Sequence, residues 1–189
     1  MSSQIYTMYA GADPSQGWVM NDPIFGKRPT LGSCVPNIRR NVQVGDWIFF
    51  VSGRVKADRQ YVVGGFQVEE KINQMVARDR FPELIVRRDE SGHVLGNIIV
   101  NADGTQNAED NHANFERRLE NYLVGGASVE LNTPKEFEQS RAETLAILSR
   151  LFGKEGNRPF DIIGRGRSMD NGQVGEMRSW LEAIKSQTR

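Results

Sequence analysis

Val44-Gly45-Asp46-Trp47-Ile48-Phe49-Phe50-Val51-Ser52 decides the fold, together with Tyr61-Val62-Val63-Gly64-Gly65-Phe66-Gln67-Val68, which begins nine residues after Ser52. Gly45-Asp46 reads as a turn in which the short carboxylate bonds backbone amides. The uninterrupted apolar run over 47–51 predicts a buried strand, and Ser52-Gly53 closes it. The second run is β-branched and aromatic, so it predicts another strand. Its paired glycines predict a bulge or a sharp bend, as the corner of a small barrel needs. Two apolar strands with a short polar connection most often pair, which predicts an antiparallel pair over 46–51 and 61–68.

Upstream, Gln4 to Tyr9 predicts a first strand. Residues 11–33 form a long loop with Gly11, Pro14, Gly17, Pro23, Gly26, Pro29 and Gly32, and a loop of that length is often functional. Pro36 opens a short helical turn over 37–42. Downstream, 71–80 reads as a helix, 84–100 as one or two short strands about Glu90-Ser91-Gly92, and 101–111 as a polar surface loop. Thr133-Pro134-Lys135-Glu136 carries a cap, a first-turn proline and a glutamate three residues after the cap, so a helix starts there and stops at Gly153. Phe160-Asp161-Ile162-Ile163 is expected to be a short strand, followed by the basic loop Gly164-Arg165-Gly166-Arg167. Met177, Trp180, Leu181 and Ile184 share one face of a final helix. The whole reads as one α+β domain over 1–189, with a barrel core over about 1–130 and a helical part over about 131–189.

The 189 residues are 38% hydrophobic and 25% charged, a balance that supports a packed core. Net charge is zero but unevenly placed. Residues 1–60 carry seven Lys/Arg against four Asp/Glu, residues 61–138 eight against fourteen, and residues 139–189 nine against six. That division excludes a protein that coats nucleic acid through a large basic excess, and leaves a local basic groove. Cys34 is the only cysteine, so no disulfide framework exists within the chain and a zinc site has a poor start. No apolar run reaches membrane-span length and no leader pattern opens the chain, so the expected location is cytoplasmic, away from any membrane.

The strand pair resembles the PUA-like superfamily, which includes the EVE, ASCH and YTH domains. There a glycine-aspartate turn, an apolar strand and a polar serine precede a valine-glycine strand. Asn37-Ile38-Arg39-Arg40-Asn41 is similar to the basic helix that EVE domains place before that turn. Asp22-Pro23-Ile24-Phe25-Gly26, Thr30-Leu31, Cys34-Val35-Pro36-Asn37-Ile38-Arg39-Arg40 and Gly45-Asp46-Trp47-Ile48 are similar to the type 2 nucleotide modification associated domain. The resemblance covers residues 5–70. It implies a PUA-like small β-barrel with flanking helices, and a pocket for a nucleic acid, a nucleotide or a modified base.

Residues suited to such a pocket follow. Trp18 and Phe25 in the long loop, and Trp47 after the turn, are aromatic faces on which a base can stack. Ser52 offers a hydroxyl to a base edge. Arg39, Arg40, Arg165 and Arg167 carry forks that match phosphate. Each also has a plainer role: Trp47 as core, Trp18 as a core cap, the arginines as solvated faces. No cofactor, metal site or catalytic centre is expected, because G-x-S-x-G, P-loop and paired C-x-x-C patterns are absent. The rival reading is an enzyme of nucleotide modification or hydrolysis using Asp22, Asp46 or His112, with Asp110-Asn111-His112 as an acid–base or metal pair. A third is an interaction module without a ligand of its own.

Overall fold

The computed structural model describes residues 3–8, 13–17, 19–53 and 60–187. Eight strands are present among them: β1 (Ser3–Thr7), β2 (Thr30–Leu31), β3 (Trp47–Val51), β4 (Val62–Ile72), β5 (Arg87–Arg88), β6 (Val94–Leu95), β7 (Tyr122–Glu130) and β8 (Gly166–Met169). Five α-helices accompany them: α1 (Pro36–Asn41), α2 (Gln74–Arg80), α3 (Pro134–Phe152), α4 (Pro159–Ile163) and α5 (Asn171–Gln187). Six strands form a mixed sheet in the order β2-β7-β4-β3-β1-β8, and β5-β6 form a separate ribbon. The class is therefore α+β, as the sequence predicts. No closed barrel is found among the described residues: the strand order ends at β2 and β8, which are two and four residues long.

The chain divides into two compact units. One comprises Met1–Val19, Gly45–Gln67 and Ala127–Arg189, the other Met20–Val44 and Val68–Gly126.

In the first unit, β3 pairs antiparallel with β4, Trp47 opposite Gln67 and Phe49 opposite Gly65, with a register shift at Phe50/Val51. All five β3 residues are buried, as an unbroken apolar strand covered on both faces requires. Gly65 is fixed by close approach: a Cβ there would lie 2.4 Å from Phe49 Cδ1 and 2.6 Å from the Ile48 carbonyl oxygen. β1 lies parallel to β3 and antiparallel to β8. α3 packs on α4 and α5. Thr133 caps α3 and Glu136 completes the capping box. On its buried face Ser140 Oγ donates to the Val62 carbonyl and Thr144 Oγ1 accepts from the Val62 N–H, pairing the backbone of β4 just where the bulge interrupts the ladder.

Residues 160–163, expected as a strand, form helix α4. Pro159 occupies its first turn and the Asp161 carboxylate accepts the Arg158 N–H, and these start signals outweigh the two isoleucines. The strand lies instead at 166–169, within and beyond the expected basic loop.

In the second unit, Ala77, Ile98, Val100, Tyr122 and Val124 form a buried cluster. The long loop has structure of its own here, an Ile24–Thr30 bridge leading into β2, which pairs with β7.

Candidate functional site

The second unit holds a dense buried polar network about the turn Gly32-Ser33-Cys34. Asp22, 7% exposed, faces the turn's backbone amides. Its Oδ1 accepts from Gly32 N–H at 2.7 Å and from Asn97 Nδ2 at 2.9 Å. Its Oδ2 accepts from Ser33 N–H at 2.9 Å, from Ser33 Oγ at 3.0 Å and from Cys34 N–H. No cation is among these partners; oriented N–H and O–H donors hold the carboxylate.

The turn's three carbonyls are held as fully as its amides. Gln74 Nε2 donates to Gly32 O at 2.9 Å, Arg118 Nη1 to Ser33 O at 2.6 Å, and Arg39 Nε to Cys34 O at 2.8 Å. Asn97 is held in turn: its Oδ1 accepts from Tyr122 OH at 2.7 Å and its Nδ2 also donates to Thr30 Oγ1. Gly32 has no room for a side chain, since a Cβ would sit 2.4 Å from Tyr122 Cε2. Immediately after the turn, Val35 has φ 44°, a left-handed conformation that costs a β-branched residue energy. Residues 32–34 are thus fixed from both sides of the backbone.

What this rigid turn presents is a thiol. Cys34 Sγ lies 3.9 Å from His112 Nε2. On the ring's other side His112 Nδ1 is 2.5 Å from Asp110 Oδ1. His112 thus turns Nδ1 to a carboxyl group and Nε2 to the sulfur; in a neutral ring whose N–H sits on Nδ1, the Nε2 lone pair faces the thiol. The Asp110 side chain is 2% exposed and that of His112 29%, and Cys34 is half-buried. Gln106 Nε2 steadies the Asp110–His112 pair, donating to Asp110 Oδ2 at 2.7 Å and to the His112 carbonyl at 3.0 Å. Burial and the neighbouring Asp22 charge push the Cys34 thiol up to about 12, so it is protonated at neutral pH. Among the described residues, no group of three or more His, Cys, Asp or Glu is disposed to hold a metal ion; Cys34, His112 and Asp110 stand in series and do not converge.

The residues expected from the sequence are placed as follows. Trp18 lies outside the described residues. In the second unit Phe25 is half-buried and Arg40 is exposed, with Nη2 bonded to Asn37 Oδ1. Arg39 is completely buried, and its guanidinium also donates to the carbonyls of Glu120, Asn121 and Arg118. In the first unit Trp47 is buried, stacked on Phe49, with the Arg178 guanidinium 4.6 Å over its ring. Ser52 is buried and its Oγ accepts from Tyr61 N–H. Arg165 and Arg167 are exposed; Arg167 Nη1 donates to the Ile162 carbonyl and lies over the Phe152 ring. Of the rival's residues, Asp22 and His112 fall in the network and Asp46 is buried in the first unit.

Sequence reasoning missed the partnership of Cys34 with His112, which are 78 residues apart. The only local signals were a single cysteine beside the 36–41 helix and an aspartate two residues before a histidine.

No helix among the described residues is long and apolar enough to cross a membrane. No curated protein and no solved structure matches the chain. A family model for nucleotide modification associated domain 2 matches residues 20–140, which takes in the entire network from Asp22 to Tyr122. The chain belongs to the nucleotide modification associated domain 2 family.

Proposed function

We propose that the chain recognises a nucleotide, free or within a nucleic acid and carrying a modified base, in the service of nucleotide modification in the cytoplasm. The observation that carries this reading is the family match over 20–140. The PUA-like resemblance supports it, since such domains hold a base against aromatic faces. In the second unit Phe25 supplies a half-buried aromatic and Arg40 is an exposed arginine suited to phosphate; in the first unit Arg165 and Arg167 are exposed arginines of the same chemistry. Stacking on one aromatic contributes roughly 1–3 kcal/mol per base.

The test is fluorescence anisotropy against modified and unmodified oligonucleotides and free nucleotides, at two salt concentrations. The expected result is binding with a shallow salt dependence, since few phosphates are engaged. Phe25→Ala and Arg40→Ala should each weaken binding with unchanged melting. No binding across the panel overturns the reading. A second reading, an enzyme of nucleotide modification, is favoured by one observation, the Cys34–His112 contact.

A further inference from the structure

We infer that Cys34 is a covalent nucleophile with His112 as its general base and Asp110 as the positioning residue, and that it accepts an acyl group carried as an ester or amide by a nucleotide. The nucleotide part rests on the reading above; the nucleophile stands on geometry. A thiol, an imidazole with one ring nitrogen facing that thiol, and a buried carboxyl group on the opposite ring nitrogen are the three parts that acyl transfer through sulfur requires. They come from two distant segments, 34 and 110–112, and each is separately braced: the thiol by the clamped turn, the carboxylate by Gln106. Arg39 and Arg118 cannot replace the imidazole as base, because a guanidinium stays protonated and accepts no proton; both donate to carbonyls of the turn and its surroundings. Asp22 also lies within hydrogen-bonding reach of the thiol, but that bond favours the protonated sulfur, and its oxygens already accept from backbone and side-chain donors of the turn and Asn97.

Sγ attacks the carbonyl carbon, forming the S–C bond, and the thiol proton passes to His112 Nε2. The tetrahedral adduct collapses, the C–O or C–N bond to the leaving group breaks, and Nε2 returns that proton to the departing oxygen or nitrogen. A water then attacks the thioester, giving one proton to Nε2; the S–C bond breaks, and the sulfur recovers the proton. The products are the free acid and the alcohol or amine, and the thiol is regenerated. Because the thiol rests protonated, base and nucleophile act together, and His112 is needed from the first proton transfer.

The experiment uses the full chain with two probes, p-nitrophenyl acetate and the 3′-O-acetyl ester of a nucleoside monophosphate. Intact-mass and peptide spectra locate the adduct, and p-nitrophenolate release times it. The expected result is an acetyl group on Cys34, saturable with the nucleotide ester and absent in Cys34→Ser. His112→Gly should slow acylation about 10²-fold, with added imidazole restoring it. Asp110→Asn should lower the maximal acylation rate and leave the half-saturating ester concentration unchanged, a split that a merely structural role would not give. No acetyl on Cys34 with either probe, or acylation unaffected by His112→Gly, overturns the nucleophile. Acylation by p-nitrophenyl acetate with no saturation by the nucleotide ester overturns the nucleotide as carrier. Neither probe tests nucleotide recognition in nucleic acid, so this proposal can fail while the binding reading stands, and the reverse.

Discussion

Asn97 Nδ2 donates to Asp22 Oδ1 at 2.9 Å, joining two buried side chains 75 residues apart in the chain. Asp22 also holds three successive backbone amides, so its loss orphans several buried donors at once. Leaving buried donors unpaired costs more than the bonds themselves contribute. Asp22→Ala should destabilise the protein by about 3 kcal/mol or more. Asp22→Asn should cost less, because one oxygen is retained while an amide N–H is turned against other N–H donors. Urea unfolding of the two variants checks the order.

How much of this was legible in the sequence depends on how local each signal is. The β3–β4 pair was, because an apolar run and a glycine pair declare themselves within a few residues. The same holds for α3, whose capping box lies in Thr133-Pro134-Lys135-Glu136. β7 went unread: Gly125-Gly126-Ala127-Ser128 interrupts its β-branched pattern, and its pairing comes from strands far away in the chain. Arg39 and Arg40 look alike in sequence, yet one is wholly buried and the other exposed. Only the carbonyls of residues 118, 120 and 121, brought in by tertiary structure, distinguish them. The Cys34–His112 contact is of the same kind. A cysteine in one loop and a histidine in another have no local pattern that joins them.

The contrast between the two arginines can be measured. Arg39→Lys keeps the charge but cannot reach carbonyls on both segments, since an ammonium on a flexible stem lacks the planar fork. It should cost about 2 kcal/mol in chemical denaturation. Arg40→Ala should leave the unfolding midpoint within about 0.5 kcal/mol of the parent. Equal effects from the two would contradict the division of roles.

Gly65 tests the strand pair. Its missing Cβ would press on the Phe49 ring and on the Ile48 carbonyl, and the carbonyl belongs to a backbone that cannot swing aside. Gly65→Ala should destabilise by about 1–3 kcal/mol through overpacking. Pairing it with Phe49→Leu should recover part of the loss, because only the ring contact is relieved. Thermal unfolding of the single and double variants reads this directly.

Burial first, and then the Asp22 charge, raise Cys34 from about 9 to about 12, while Ser33 and Arg118 pull the other way. A folded-state value above the unfolded one means that the folded chain keeps a proton which the unfolded chain loses between these limits. The stabilising contribution is therefore complete below pH 9 and is lost as pH rises towards 12. Tyr61 and Tyr122, also raised by burial, lose stability in an alkaline range as well, so the parent alone cannot separate the groups. Cys34→Ser removes one of them. Its melting temperature should fall less steeply than the parent's between pH 9 and 11, with the two curves parallel at pH 6–8. The same raised value bears on reactivity. Iodoacetamide consumes thiolate, so alkylation of folded Cys34 at pH 8 should be much slower than in the urea-unfolded chain, and mass spectrometry at timed quenches measures the ratio. An acyl ester in the folded protein should not show that suppression, because His112 removes the proton as the S–C bond forms. Slow alkylation beside fast, His112-dependent acylation is what a protonated thiol with a built-in base must give. Fast alkylation at pH 8 would mean that the folded state holds a thiolate, and that the Asp22 turn does not set its proton affinity.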